Sequence, residues 1–271
     1  MNGPTALVRE LRWASQGRDK ISFMTHDDQR RIVAIIQARM GSERLPGKVL
    51  ARIGNSSLLS ILLHRCKQSH YLDLIVVATT TKKEDDAIVE LAKCESISWH
   101  RGSDQDVLGR YYQAATRFNA DVIVRVTADN PLTDPKLMDR LIGAHLKNRW
   151  DYTYCPDAPL GTGVEVIDFD ALHAANQATS NLYEREHVTP YLQLHPEKFA
   201  IQTIECLSAD PNVRLTVDTA ADLALMNALD EVLGALEDVE IKRVADLLES
   251  NPELREINKH VVQKDVNGRA R

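Results

Sequence analysis

The chain predicts a single α/β domain, a mostly parallel twisted sheet with helices on both faces. Short apolar runs alternate with longer stretches of helical periodicity, the sequence form of successive β-α-β units. With 271 residues and 44% hydrophobic content, the chain can bury one full core. An apolar run, Ile32 to Ile36, leads straight into a Gly/Ser/Pro loop, as expected where a buried parallel strand ends at a ligand crevice.

Taken in order, residues 1–30 are mixed polar and charged around a small apolar cluster (Leu7, Leu11, Trp13). They read as a flexible extension, or as sequence upstream of a start at Met24. The domain is expected over 31–257. Its apolar runs place strands near 31–38, 74–80, 121–128, 151–155, 163–168, 199–206 and 213–217. Helices fill about 57–69, 82–94, 104–118, 135–148, 170–178, 183–194, 220–236 and 242–249. Ser56 or Ser57, Asp104, Asp134 and Asp170 are the expected N-caps, because a short polar side chain there satisfies an orphan backbone N–H. From Asn258 to Arg271 the chain reads as a frayed tail.

Composition excludes several function classes. A net charge of −6 with pI near 5.9 lacks the broad basic face that nucleic-acid binding demands. Cys66, Cys94, Cys155 and Cys206 are scattered, without a Cys-x-x-Cys pair or a Cys/His cluster. Free thiols in the cytoplasm are expected, and a structural zinc is not. No apolar run approaches the roughly 20 residues that span a bilayer. A cytoplasmic protein without nucleic-acid or membrane partners is the resulting expectation.

The segment from Ile32 to Lys48 carries the chemistry. Gly41, Ser42 and Gly47 let backbone N–H groups approach a polyphosphate, Arg39, Arg44 and Lys48 bring positive charge, and Pro46 stiffens the turn. Neither the dinucleotide Gly-x-Gly-x-x-Gly pattern nor the Walker order with its following Ser/Thr is present. A solvated basic loop is the alternative.

Two further apolar runs deliver aspartates to strand ends. Val122 to Ala128 ends at Asp129, and Val213 to Val217 ends at Asp218. Two carboxylates facing three cations suit Mg²⁺, which takes one or two carboxylates plus water and phosphate oxygens. Asp218 equally fits a helix N-cap, and Asp129 a turn before Asn130-Pro131. Arg185 to Tyr191 offers a bidentate cation and an imidazole for a polar acceptor, or an amphipathic helix with surface charges. Asp168-Phe169-Asp170 imitates a glycosyltransferase metal motif, with Asp170 expected as a helix cap instead.

The run IIQARMGSERLPGKVL closely resembles the opening motif of cytidylyltransferases that make CMP-activated acidic sugars, such as the 3-deoxy-manno-octulosonate and acylneuraminate enzymes. The SpsF-type branch of spore-coat polysaccharide synthesis is the nearest in pattern. Gly102 to Leu108, Val124 to Leu132, Arg185 to Tyr191 and Arg214 to Thr219 resemble that branch in the same order, over roughly residues 31 to 250. Where that branch reads Gly-Asp-Cys-Pro, this chain has Ala128-Asp129-Asn130-Pro131; the aspartate is retained, while the loop that receives the acceptor differs.

The resemblance implies a Rossmann-like nucleotidyltransferase domain of the GT-A type. CMP would pass from CTP to an acidic sugar or a sugar or polyol phosphate, for surface polysaccharide synthesis, with release of pyrophosphate. Arg39 and Lys48 are then the catalytic cations. The nucleotide is expected at Ala38, Arg39, Gly41, Ser42, Arg44, Lys48, Ala78, Thr79 and Asp104. Glu165, Arg185 and His187 are assigned to the acceptor, Mg²⁺ to Asp129 and Asp218, and a homodimer is implied. Two other readings remain open at this point: a GT-A glycosyltransferase using a nucleotide sugar, and a nucleotide-binding subunit without catalysis.

Overall fold

The computed structural model describes residues 30–205 and 213–262. The expected extension over 1–30, apart from Arg30, and the tail beyond Val262 lie outside them. In chain order, β1 is Ile32–Gln37, β2 Arg52–Ile53, β3 Ser56–Ser57, α1 Leu58–Lys67, β4 Leu74–Thr80, α2 Asp86–Cys94, β5 Ser98–Gly102 and α3 Val107–Arg117. There follow β6 Val122–Thr127, α4 Pro135–Asn148, β7 Tyr152–Tyr154, β8 Glu165–Asp168, α5 Phe169–Ala178, α6 Leu182–His187, α7 Pro190–Leu194 and β9 Ile201–Thr203. The chain continues through α8 Ala220–Leu233, α9 Ile241–Ser250 and α10 Pro252–Glu256.

The main sheet has seven strands in the order β5-β4-β1-β6-β8-β7-β9. β5, β4, β1 and β6 are mutually parallel, while β8 runs against both β6 and β7. The chain leaves β1 toward β4 on one side and reaches β6 on the other. This reversal opens a crevice beyond the carboxyl ends of β1 and β6, where ligands bind in such sheets.

Alternation along the strands divides the core. Ile32, Ala34, Ile36 and Ala38 pack with α1, α2 and α4, whereas Val33 and Ile35 pack with α3, α5 and α7. A third cluster joins the far side of α1 to α8 and α9. Arg65, buried on α1, secures it by donating to the carbonyls of Thr133, Leu236 and Val239, each at 2.8 Å.

Several local expectations change. Ser57 and Asp134 cap α1 and α4 as read, but Asp106, not Asp104, caps α3, and Asp168, not Asp170, caps α5. The helix expected over 183–194 is two, α6 and α7, because Val188 takes a positive φ of 72° ahead of Pro190. β5 and the β2–β3 hairpin were not anticipated. The strand expected over 213–217 is an extended segment with one bridge, Leu160 to Arg214. Asn258, expected to begin the tail, is buried and donates to Asp222 Oδ1 at 3.0 Å and to the Arg214 carbonyl at 3.1 Å.

Tyr111 on α3 reaches beneath the crevice, and its hydroxyl lies 3.1 Å from the Ile35 carbonyl and 3.0 Å from that of Val126. Tyr111→Phe should therefore lower unfolding free energy by about 1 kcal/mol, read as a fall in urea midpoint with unchanged slope.

Candidate active site

The loop after β1 is built by its own backbone. Met40 O accepts from Ser42 N at 2.8 Å and from Gly47 N at 2.9 Å, and Gly47 closes the turn at φ 71°. Asp85, fully buried, accepts from Met40 N at 2.7 Å and from the Thr80 hydroxyl. One carboxylate thus ties the loop to the end of β4. Sequence reasoning missed Asp85, since a single aspartate in a run of charges carries no local signal.

Lys48 follows this loop and is buried between the two predicted aspartates. Its Nζ lies 3.1 Å from Asp129 Oδ2, 2.8 Å from Asp218 Oδ1 and 2.9 Å from the Val217 carbonyl. Asp129 stands at the end of β6, where its own carbonyl accepts from Val217 N at 2.8 Å. The segment 213–217 is thereby held against β6.

Asp218 is surrounded by cations. Arg44 lies 3.1 Å and Arg214 2.8 Å from Asp218 Oδ2. Burial by itself would raise the Asp218 pKa, but Lys48, Arg44 and Arg214 outweigh it and hold the carboxyl below the ordinary 3.8. Behind it, Asp222 accepts from Arg214 Nε at 2.8 Å, from Asp218 N at 3.0 Å and from Thr219 N at 2.9 Å. Thr219, rather than Asp218, is the N-cap of α8, closing a capping box with Asp222. Asp218 is left to face the cleft.

That cleft encloses about 670 Å³. Of the predicted residues, Ala38, Arg39, Ser42, Arg44, Lys48, Asp129, His187 and Asp218 line it together. Burial lowers the His187 pKa, which favours a neutral imidazole. Gln37, Arg110, Thr127, Tyr183 and Glu186 also line it and were not predicted. Gln37 and Thr127 could have been found as the polar last residues of apolar strands; Tyr183 and Glu186 enter only because α6 packs beside the crevice.

Other predicted residues stand elsewhere. Ala78 and Thr79 are buried in β4, with the Ala78 carbonyl accepting from Ala38 N at 3.2 Å. Gly41 is outside the lining and faces Glu84. Asp104 is a counter-ion at the rim, 3.1 Å from Arg39 and 2.7 Å from Lys82.

Arg185, expected at the acceptor, is engaged within the fold and stands outside the cleft lining. Its Nε and Nη2 each lie 2.8 Å from an oxygen of Asp106, Nη2 also 2.8 Å from Asn176 Oδ1, and Nη1 donates to the carbonyls of Asn176 and Thr179. This fork fastens α6 to the N-terminus of α3 and to the end of α5. Glu165 sits outside the main cleft, paired with Arg125. In the glycosyltransferase-like triplet, Asp168 caps α5 and pairs with Arg30.

The sequence profile of a family described as cytidylyltransferase matches residues 33–249. The chain is 44% identical to an uncharacterised protein of Methanocaldococcus jannaschii, over 86% of this chain and 97% of that one. It is 40% identical to the spore coat polysaccharide biosynthesis protein SpsF of Bacillus subtilis, over 82% and 95%. A solved cytidylyltransferase of Leptospira borgpetersenii superposes with a TM-score of 0.80 at 32% identity, covering 84% of this chain and 97% of that one.

Asp222→Ala should cost about 3 kcal/mol, since it removes the fully buried partner of the half-buried Arg214 and half of the capping box. Because Asp218 and Asp222 titrate below their ordinary value in the folded protein, their contribution is fully present above about pH 4 and is lost as pH falls through the lowered folded values. Acid unfolding followed by circular dichroism should accordingly begin at higher pH in the variant.

Proposed function

The chain belongs to the cytidylyltransferase family, and from that premise we propose that it transfers CMP from CTP to a sugar-type acceptor, an acidic sugar or a sugar or polyol phosphate, and releases pyrophosphate. The observation that carries this reading is the convergence of Arg44, Lys48, Asp129 and Asp218 at the crevice between β1 and β6. Polyphosphate oxygens and a divalent ion find there the charges they need.

The residues present fit a divalent cation. Asp129 and Asp218 each offer an oxygen to one position, now bonded to the Lys48 ammonium, and two carboxylates beside an open cleft match the usual protein share of a Mg²⁺ shell. Asp129 and Asp218 would hold Mg²⁺, which when bound would neutralise phosphate charge and orient the reacting oxygens. Lys48 cannot fill that position at the same time, and its ammonium is then available to the phosphates.

The chain's own groups supply the rest. Arg39, Arg44 and Lys48 offset the charge that builds on the transferred phosphoryl group and on the leaving pyrophosphate. The backbone of Ala38 to Ser42 seats the nucleotide near the ends of β1 and β4. α6, with Tyr183, Glu186 and His187, forms one wall of the cleft. Catalysis is chiefly positioning and electrostatics, and no covalent intermediate is required.

Pyrophosphate release should require CTP, a divalent cation and an acceptor, with the other three ribonucleoside triphosphates inactive; release without acceptor selectivity, or with every triphosphate, would count against the proposal. Lys48→Ala and Asp218→Ala should each lower turnover by roughly a hundredfold or more if each makes a transition-state contact of ordinary strength. Near-normal turnover in either variant would remove that residue from the site.

A further inference from the structure

A second compartment, of about 380 Å³, opens beside the main cleft. Thr127 lines both, and Arg125 lies two positions earlier on the same face of β6. In the sheet order, β1 and β4 lie on one side of β6 and β8 on the other. The compartment is therefore on the opposite side of β6 from the phosphate loop, which is where an acceptor body would extend.

Its chemistry is specific. Arg125 and Glu165 are the charged groups among the described residues that line it, and they are paired with each other. Glu165 also accepts from the Tyr152 hydroxyl and from Thr189 Oγ1 at 2.9 Å. The compartment is thus close to neutral. A carboxylate placed here would give up its hydration to a guanidinium that already has its counter-ion.

Hydroxyl groups fit better. Arg125 Nε is buried without a hydrogen-bond partner, which leaves a donor for a neutral oxygen. Asn130 Nδ2 donates to Thr127 Oγ1 at 2.8 Å, so the Thr127 hydroxyl can donate onward and Asn130 Oδ1 can accept. Tyr154, Ala158, Pro159 and Val164 supply apolar wall for a C–H face.

We propose that this compartment holds the uncharged polyol or sugar body of a phosphorylated acceptor, whose phosphate monoester is the nucleophile. The inference rests on the cytidylyl-transfer reading above. The acceptor's charge is then met in the main cleft, by Arg39, Arg44 and Lys48. A monoester oxygen forms the new bond to the α-phosphorus of CTP, the bond from that phosphorus to the α–β bridging oxygen breaks, and its electron pair leaves with pyrophosphate. With a second pKa of about 6 the monoester is largely a dianion at neutral pH, so no proton need be removed from the nucleophile. The product is a CDP-linked polyol or sugar.

The test offers the full-length protein CTP and Mg²⁺ with two acceptor series, aldose 1-phosphates with straight-chain polyol phosphates in one and 2-keto-3-deoxy sugar acids in the other. Pyrophosphate release and product mass are measured. Turnover confined to the phosphates is expected. Turnover confined to the keto acids overturns the inference and leaves cytidylyl transfer standing, whereas turnover with neither removes the premise and the inference with it. With the active phosphate, Ala158→Leu, which narrows the compartment, should raise the acceptor KM by roughly tenfold or more and leave the CTP KM within about twofold. An unchanged acceptor KM, or equal shifts in both, would overturn the assignment.

Discussion

The burial of Lys48 between Asp129 and Asp218 is the constraint on which the rest of the site depends. The Lys48 ammonium and the Asp218 carboxylate, both withdrawn from water, are tolerable only when each finds opposite charge at contact distance, and the half-buried Asp129 adds a second carboxylate to the ammonium. Lys48 belongs to the loop after β1, Asp129 to the end of β6, and Asp218 to the approach to α8. Their mutual pairing fixes three distant pieces of chain against one another. Arg44 and Arg214 continue the alternation of charge, and Asp222 closes it with the α8 capping box. Electrostatic preorganisation of this kind lets a site stabilise developing charge without reorganising during the reaction.

The second organising feature is the direction of the sheet. β5, β4 and β1 lie on the side where Asp85 secures the loop to the end of β4, and β6 carries Asp129 at the centre. Beyond β6, the antiparallel β8 brings Glu165 opposite Arg125 in register. A reversed strand at this point places a neutral, hydroxyl-bearing compartment beside a highly charged cleft. Two environments, one highly charged and one close to neutral, thus meet at Thr127.

Helix α6 shows how two polar residues of one short segment can take different places. Arg185 and His187 stand two residues apart on a short helix, so they point in different directions. His187 faces the cleft, whereas Arg185 clamps the helix to Asp106 and to the end of α5. The aspartate that caps α3 is thereby also the anchor of the cleft wall. β5 escaped sequence reading for a comparable reason: Ser98-Trp99-His100-Arg101-Gly102 lacks an apolar run, and its strand exists through pairing with β4. Val213 to Val217 erred the other way, since its apolar alternation reflects burial in the third core, not membership of the main sheet.

Much of the protein was fixed locally. Apolar periodicity determined the α/β class and most elements, because burial of one face or stripe leaves a pattern in neighbouring residues. The cationic loop and the aspartates ending two apolar segments were likewise legible, since strand ends deliver side chains to the crevice. Tertiary structure decided which charges meet: that Lys48 bridges the aspartates, that Asp85 holds the loop, that Arg185 is spent on Asp106, and that Arg125 and Glu165 neutralise each other. Those choices depend on pairings between residues tens of positions apart, and no local spacing encodes which counter-ion a buried charge will find.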